Sequence, residues 1–177
     1  HEIERSLAKT TVAAPGAVPA DSMQCPHVEA PVGLALDLIP KSARRILQLD
    51  DKTSSIVEAI TARQSVEIVK VQEIESEICL PADSFDAVLG GDTLERVRNP
   101  LHTLRQIRSC LKPEARLFAS FDNVRYHIIL RGLIQGNWTC DWNGMSHDDR
   151  VRFFTRREFE KLFYRAGFTI KELKIVP

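Results

Sequence analysis

The clearest structural pattern in the sequence is the run LPADSFDAVLGGDTLERVRNP at residues 80–100. Phe85–Leu89 predicts a strand, and the Gly90-Gly91 pair after it predicts a turn. Asn99-Pro100 predicts the start of a helix, because proline at the first helical position lacks only an N–H that would have no partner there. A strand that leads through a turn into a helix is the repeating unit of an α/β fold.

The same alternation continues on both sides of this stretch. Further strands are predicted at Arg45–Leu49, Val66–Val71, Arg116–Phe121 and Phe168–Val176. Helices are predicted over residues 32–39, 55–63, 100–111 and 155–167. Two of them begin with a capping box, Ser55 with Glu58 and Thr155 with Glu158, in which each side chain binds a free backbone N–H. The pattern predicts a mainly parallel sheet, whose ligands bind beyond the carboxyl ends of its strands.

Length and composition predict one domain preceded by a tail. Of the 177 residues, 44 % are hydrophobic and 27 % are charged, which suits a globular chain that buries a core. Residues 1–30 have little periodic pattern and are predicted to be a tail or linker before a domain at 31–177. No apolar run approaches the ~20 residues of a membrane-spanning helix. Glu2, Glu4 and Arg5 argue against a secretory signal at this N-terminus.

The four cysteines predict a reduced, cytoplasmic protein without a zinc site. Cys25, Cys79, Cys110 and Cys140 lie far apart in the sequence and form no C-x-x-C pair. Cys110 shares a predicted helix face with Ile107, where a thiol behaves as a small hydrophobic group. No metal is therefore expected, and unpaired thiols are typical of the cell interior.

The net charge of zero hides an asymmetry between the two halves of the chain. Residues 1–95 hold 8 Lys/Arg and 16 Asp/Glu, a net charge of −8, whereas residues 96–177 hold 16 and 8, a net charge of +8. A basic half can attract phosphate groups, but no aromatic-basic motif accompanies it. The sequence therefore does not predict a nucleic-acid partner, and solvated helices or attraction between the halves are the simpler explanation.

Several longer motifs stand in a fixed order along the chain. They are IP at 39–40, ARRIL at 43–47, LPADSFDAV at 80–88, DTLERVRNP at 92–100, LKP at 111–113, RFFTRREF at 152–159 and AGF at 166–168. Together they resemble the motifs of class I S-adenosylmethionine-dependent methyltransferases, most closely the small bacterial domains found with glycan and cell-envelope biosynthesis. The resemblance implies a Rossmann-like sheet with flanking helices, S-adenosylmethionine as cofactor, and a sugar or small molecule as methyl acceptor.

The cofactor loop departs from the family pattern. In the family an acidic residue is followed by Gly-x-Gly-x-Gly, whose glycines let the backbone approach the ligand closely. Here residues 48–54 read QLDDKTS, so Gln48 stands in place of the acid, and Asp50, Lys52 and Ser54 stand in place of the glycines. Asp50 puts a carboxylate where the family has bare backbone. The loop therefore predicts that efficient cofactor binding has been lost.

The second cofactor element is shortened. In the family an acid after the second strand binds the ribose hydroxyls, and its match here is Gln72 or, one residue on, Glu73. The interval from Val66 to Phe85 has no room for the helix and strand that the family places there. Either these two are missing, or Val66–Val71 is the third strand and the second is missing. The chain also reaches Pro177 before the family's last strand, which predicts an open sheet edge that invites pairing.

Candidate site residues follow from the same comparison. If cofactor binds, the residues expected to contact it are Asp50, Glu73, Gly90, Gly91 and Asp92. The catalytic candidates are Asp92, as a general base, and His127, whose imidazole titrates near neutrality. Glu95 shares the position of Asp92 after the strand, and either acid could act as a base or contact the substrate. The structural alternatives are that Asp92 and Glu95 complement a helix dipole and that His127 only lies at the rim. Trp138 and Trp142 suit sugar stacking and a hydrophobic lid equally well.

The sequence thus predicts a methyltransferase-like domain that no longer binds S-adenosylmethionine efficiently. Its role is then structural, regulatory or partner-binding, in the envelope-glycan setting that the resemblance implies. The alternative is a divergent, active methyltransferase acting on a sugar or small molecule. A protein partner or self-association, through the open sheet edge or the 1–30 tail, is also expected.

Overall fold

The computed structural model describes residues 32–71, 74, 80–136 and 150–174. The predictions made for the 1–30 tail and for Glu73, Trp138 and Trp142 concern residues outside this set. The same holds for three of the four cysteines, since only Cys110 is described; its thiol is free and buried, as predicted.

A parallel sheet with helices around it forms the described part of the chain. Its strands are β1 (Arg45–Gln48), β2 (Glu67–Lys70), β3 (Phe85–Leu89) and β4 (Leu111–Phe118). The helices are α1 (Val32–Leu38), α2 (Ser54–Arg63), α3 (Thr93–Arg96), α4 (Pro100–Cys110), α5 (His127–Ile134) and α6 (Arg156–Arg165), and a short 3-10 turn at Asp51–Thr53 leads into α2. The strand order is β2-β1-β3-β4, with every neighbouring pair parallel. The predicted α/β fold with a parallel sheet is confirmed.

Apolar residues of the central strands are buried on both faces of the sheet, as in parallel sheets covered by helices. On one face, Ile46 and Leu89 pack with Ile56 and Ile60 of α2. On the other face, Leu47 and Val88 pack with residues of α4, among them Ile107. A third cluster joins α4 to α6 and includes stacked rings of Phe121 and Phe159, 4.0 Å apart. β3, at residues 85–89, therefore lies at the centre of the core.

The position of β2 bears on the two alternatives for the shortened region. β2 pairs directly with β1, with Ile46 opposite Ile68 and Leu47 opposite Val69. This is the place of a second strand in a sheet of this kind. The alternative in which a third strand and its helix are missing is therefore favoured. Within residues 32–71, 74, 80–136 and 150–174, no strand pairs with the outer edge of β2.

The last two strands differ from their predicted bounds. β4 runs from Leu111 to Phe118, whereas a strand at Arg116–Phe121 was predicted. The observed strand starts earlier because the chain turns from α4 directly into it. A bulge interrupts its pairing with β3. The predicted strand at Phe168–Val176 is wrong for its described portion, since residues 168–174 form no strand. These residues pair with none of the four described strands.

The helix starts and ends also test the predicted caps. Thr155 accepts a hydrogen bond from the backbone N–H of Glu158, as its capping box predicts. Gly167 has a φ of +84°, which fits the predicted glycine after α6. The capping box at Ser55 is wrong, because α2 already begins at Ser54 and Asp50 caps the 3-10 turn in front of it.

One further expectation concerns membranes. Within the described ranges, no helix combines the length and apolar character that crossing a bilayer requires.

Candidate functional site

The sheet has one place where chain order reverses, and it lies between β1 and β3. From β1 the chain continues to β2 on one side, whereas β3 lies on the other side. The carboxyl ends of β1 and β3 therefore flank a crevice of the kind in which open α/β sheets bind ligands. Asp50 follows β1, and Gly90, Gly91 and Asp92 follow β3. Four of the five predicted cofactor contacts thus lie at this crevice, while Glu73 is outside the described residues.

Asp50 spans the crevice instead of leaving it open. Its buried carboxylate accepts hydrogen bonds from the hydroxyl of Thr93, at 2.7 Å, and from the backbone N–H of Thr53, at 3.1 Å. The guanidinium of Arg96 lies 3.2 Å from the same carboxylate. Burial raises the pKa of Asp50, although the hydrogen bond from Thr93 and the charge of Arg96 oppose this. Asp50 thus links the loop after β1 to the helix after β3.

Gly91 provides the space that the Asp50 side chain takes. It adopts a φ of +45°, and a Cβ built on it would lie 2.6 Å from Oδ2 of Asp50. Any side chain at residue 91 would therefore collide with the carboxylate, in a backbone conformation that already favours glycine. The bare backbone that a glycine offers is covered here by a side chain of the same protein.

The remaining departures in the loop are also satisfied within the chain. The side-chain amide of Gln48 donates to the backbone carbonyl of Asp50 at 2.8 Å, which a carboxylate in that place cannot do. Lys52 reaches across the crevice and donates to Asp92 at 2.8 Å. The hydroxyl of Ser54 donates to the carbonyl of Asp51 at 2.7 Å. All these side chains hold the loop in its closed shape.

Asp92 is ion-paired on several sides. It accepts hydrogen bonds from Lys52 and Arg96, each at 2.8 Å, and Arg150 approaches it at 3.5 Å. Burial opposes ionisation of Asp92, but the hydrogen bond from Lys52 and the charges of Arg96 and Arg150 outweigh it and lower the pKa. A carboxylate held ionised in this way is a poor proton acceptor near neutral pH.

Glu95 lies one turn further on and is fully buried. Burial raises the pKa of Glu95 to about 8, against the charge of Arg150 and with the help of nearby Asp122 and Asp92. Among the described residues, its Oε1 accepts one hydrogen bond, of 3.3 Å, from the backbone N–H of Asp122, and its Oε2 has no hydrogen-bond partner. Near neutral pH the Glu95 carboxyl group is therefore protonated.

Arg150 is the cation that the acids share. Its side chain is only 4 % exposed, and it pairs with Asp122 and lies 3.5 Å from Asp92 and 3.6 Å from Glu95. The carboxylates of Asp92 and Asp122 and the carboxyl group of Glu95 therefore surround one guanidinium. Burying a charge of this kind is costly unless it is paired in this way.

These contacts form one connected group, which we call the crevice cluster: Asp50, Lys52, Asp92, Glu95, Arg96, Asp122 and Arg150. With Glu95 protonated, the cluster holds three carboxylates and three cations, so its formal charges cancel. With Glu95 ionised, it carries a net negative charge. In the parts of the chain that the structure describes, no group of acids, histidines or cysteines is arranged to hold a metal ion.

His127 does not join the crevice cluster. It is exposed at the start of α5, and its ring packs edge-on against Tyr126 with centroids 4.6 Å apart. Within the described residues, it forms neither a hydrogen bond nor an ion pair with the cluster. The two catalytic candidates therefore do not lie together: Asp92 is ion-paired within the cluster, and His127 lies at the rim.

Sequence reasoning missed the residues that complete the cluster. Arg150 was not connected with the acids after β3, and Thr93 and Asp122 were not considered. The distribution of charge along the sequence was the one signal for this pairing. The acids after β1 and β3 come from the acidic half of the chain, and both arginines of the cluster come from the basic half. The pairing itself depends on contacts far apart in sequence.

The chain is similar to known proteins both in its sequence family and in its fold. A family model described as a methyltransferase domain matches residues 24–173. No curated protein matches the chain in sequence.

Solved structures share the fold at low sequence identity. A chain of the complex between the Haloferax volcanii Trm112 methyltransferase activator and a methyltransferase has a TM-score of 0.56 and 16 % identity, over 79 % of this chain and 68 % of that one. An S-adenosylmethionine-dependent methyltransferase from Archaeoglobus fulgidus has a TM-score of 0.57 and 14 % identity, over 78 % and 66 %. Another such enzyme, from Thermotoga maritima, has a TM-score of 0.51 and 17 % identity, over 78 % and 70 %. These similarities support the Rossmann-like fold.

Proposed function

The chain belongs to the methyltransferase domain family, and from this premise we propose that its cofactor crevice is closed by its own side chains and that it acts as a non-catalytic, partner-binding domain. A fold of this kind retains its scaffold when its site changes, so family membership does not decide activity.

One observation carries the first part of the proposal. The Asp50 carboxylate lies against the bare backbone of Gly91 and binds Thr93 and Arg96 across the switch point of the sheet. S-adenosylmethionine needs that backbone uncovered, and its amino-acid end carries a carboxylate that Asp50 would repel. The residues present therefore do not fit the cofactor in this arrangement. Opening the crevice would break the ion pair of the Asp50 carboxylate with Arg96 and its hydrogen bond from Thr93.

The alternative is a divergent, active methyltransferase acting on a sugar or small molecule. It would rely on Gly90, Gly91 and Asp92, together with Glu73. Asp92 is engaged by Lys52, Arg96 and Arg150, so a cofactor or substrate would have to displace these cations first. The contacts therefore favour the non-catalytic function.

Two observations support a protein partner. Apolar side chains are exposed on α5 and on the segment before α6, among them Ile134 at 87 %, Leu133 at 44 % and Val151 at 51 %. Exposed apolar residues of this kind are typical of interaction surfaces when they are clustered. One structural neighbour was solved in complex with the Trm112 methyltransferase activator, which shows that this fold can bind a protein. We also propose that the domain acts in cell-envelope glycan biosynthesis, which the motif resemblance implies.

Calorimetric titration with S-adenosylmethionine and S-adenosylhomocysteine tests the proposal. The chain is expected to give no binding heat and no thermal shift at millimolar ligand, because the crevice is filled. An Asp51→Asn variant is the matched control, since Asp51 is exposed beside Asp50 and does not enter the crevice; it should behave like the unmodified chain. Micromolar binding, or methyl transfer abolished by Asp92→Asn, would establish the active alternative instead.

A further inference from the structure

A short described segment in front of α6 is hydrogen-bonded to α3. We call residues Arg150–Thr155, which lead into α6, the strap. The backbone N–H groups of Val151 and Arg152 both donate to the carbonyl of Glu95 at 2.9 Å. The Arg152 guanidinium donates to the carbonyl of Arg98 at 3.2 Å through its Nε, and the side chain of Arg150 is buried in the crevice cluster. Glu95 thus contacts the strap through both its backbone and its side chain.

The contact between the two buried side chains is incomplete. Oε2 of Glu95 and Nε of Arg150 each lack a hydrogen-bond partner, although both atoms are buried. The nearest charged atoms of the two residues are 3.6 Å apart, longer than a hydrogen bond. A buried ionised carboxylate left with one weak hydrogen bond is costly, whereas a protonated carboxyl group in the same place costs much less. The geometry therefore suits a neutral Glu95.

The charged groups around Glu95 make the same point. Arg150 faces it from the strap, Asp122 from the segment after β4, and Asp92 from the turn after β3. Arg150 is already paired with both aspartates, and Arg96 and Lys52 bind Asp92 from the other side. An ionised Glu95 would thus add a fourth carboxylate to a group with only three cations.

We propose that the strap is a proton-controlled latch, which stays docked while the Glu95 carboxyl group is protonated and is released when that proton is lost. Release lets water reach Glu95 and the acids beside it, so that the ionised carboxylate is hydrated rather than buried. It also frees Val151 and Phe153, which are already half-exposed, from the fixed position that the strap gives them. This proposal does not depend on whether the crevice binds a cofactor.

The expected size of the effect follows from proton linkage. With the strap docked, burial raises the pKa of Glu95 to about 8, whereas an exposed glutamate has its ordinary value of 4.5. Between these two values, the equilibrium constant for strap opening should rise by about tenfold per pH unit, because opening releases one proton. Above the higher value it should level off.

Hydrogen exchange on the full chain tests this latch. Exchange rates of the Val151 and Arg152 amides are measured from pH 5.5 to 7.5, and each rate is divided by the intrinsic rate of an unprotected amide at the same pH. The corrected opening constant should rise by roughly a hundredfold over this range. At every pH the opening constant of the strap amides should exceed that of the β3 amides, which we expect to exchange by global unfolding.

Three variants make the result specific. Glu95→Gln mimics the protonated side chain and should abolish the pH dependence, whereas Glu58→Gln on the exposed surface of α2 should leave it unchanged. Asp122→Asn removes a negative neighbour and should move the levelling-off to lower pH. The latch is overturned if strap and β3 amides open with equal constants, or if the slope survives in Glu95→Gln.

Discussion

At the scale of single residues, the departures in the loop after β1 satisfy one another. Gln48 donates to the carbonyl of Asp50, and Asp50 in turn caps Thr53 and binds Thr93. Random loss of a ligand site would leave buried polar groups without partners, each at a cost of about 1–3 kcal/mol. Here the replacements at the acid and at the first glycine position are both hydrogen-bonded. The loop is therefore built for its closed shape.

Gly91 gives the first residue-scale prediction. Gly91→Ala should lower the free energy of unfolding by about 2–4 kcal/mol, because Cβ meets the Asp50 carboxylate and the left-handed backbone adds strain. In an Asp50→Ala background the same substitution should cost less, about 1–2 kcal/mol, because the left-handed backbone and a 3.1 Å contact with Cγ2 of Thr53 remain while the collision with Asp50 is gone. Chemical denaturation of the four proteins in this cycle measures the coupling.

Gly33 is the control for this cycle. It lies in α1, and a Cβ there would meet nothing within 4 Å. Gly33→Ala should therefore be neutral or stabilising by up to about 1 kcal/mol. Equal costs of Gly91→Ala with and without the Asp50 side chain would show that the carboxylate does not fill the space beside Gly91.

The site residues were predictable only where a motif pointed to them. The glycine pattern placed Asp50, Gly90, Gly91 and Asp92 at the ends of β1 and β3, where the structure has them. It could not show that the Asp50 carboxylate turns inward, because this depends on a hydroxyl and a guanidinium 43 and 46 residues further on. His127 was singled out for its chemistry alone, and it lies outside the cluster.

At the scale of elements, Asp86 ties three segments together at the end of the sheet opposite the crevice. It accepts hydrogen bonds from the backbone N–H groups of Arg44 and Arg45, both at 2.9 Å, and from Lys112 at 2.6 Å. Burial opposes its ionisation, but these donors outweigh burial and lower the pKa of Asp86 below 3.8. The start of β1, β3 and the start of β4 are therefore joined by one carboxylate.

Asp86→Asn should lower the free energy of unfolding by about 1–3 kcal/mol at pH 7, where the charge-assisted hydrogen bonds are fully present. Because the folded-state pKa of Asp86 lies below the unfolded value of 3.8, this stabilisation is complete above 3.8 and is lost as pH falls through the folded value. Urea denaturation at pH 7 and pH 3 should therefore show a smaller difference between the two proteins at pH 3.

Asp83→Asn is the matched control at the same end of the sheet, since Asp83 is exposed and its φ of +49° is tolerated by asparagine. It should change stability little at either pH. A difference between the unmodified chain and Asp86→Asn that is equal at pH 7 and pH 3 would contradict the role given to the carboxylate.

Element predictions succeeded where a local signal fixed the structure. Asn99-Pro100 and Thr155 start helices because their side chains and backbone satisfy the first N–H groups locally. Ser55 failed because Asp50 offers a competing cap one turn earlier, as part of contacts across the crevice. The strand at Phe168–Val176 failed because its β-rich pattern does not supply a pairing partner, and residues 168–174 pair with none of the described strands.

At the scale of the whole molecule, the opposite charges of the two halves meet in the crevice cluster. Asp50, Asp92 and Glu95 come from the acidic half, and Arg96 and Arg150 come from the basic half. Part of the asymmetry thus serves attraction within the chain. The parallel sheet was predictable because apolar strands alternate with helices. The closing of the crevice was not, since it depends on pairing between distant charges.

The chain's own side chains fill the crevice between β1 and β3. The most direct test follows the backbone amide resonances of Thr53, Gly91 and Thr93 by NMR while S-adenosylhomocysteine is added to millimolar concentration. The closed cluster predicts that these resonances stay where they are. Saturable shifts confined to these amides, with an affinity in the micromolar range, would show that the crevice opens for the cofactor and that the domain has kept a cofactor site.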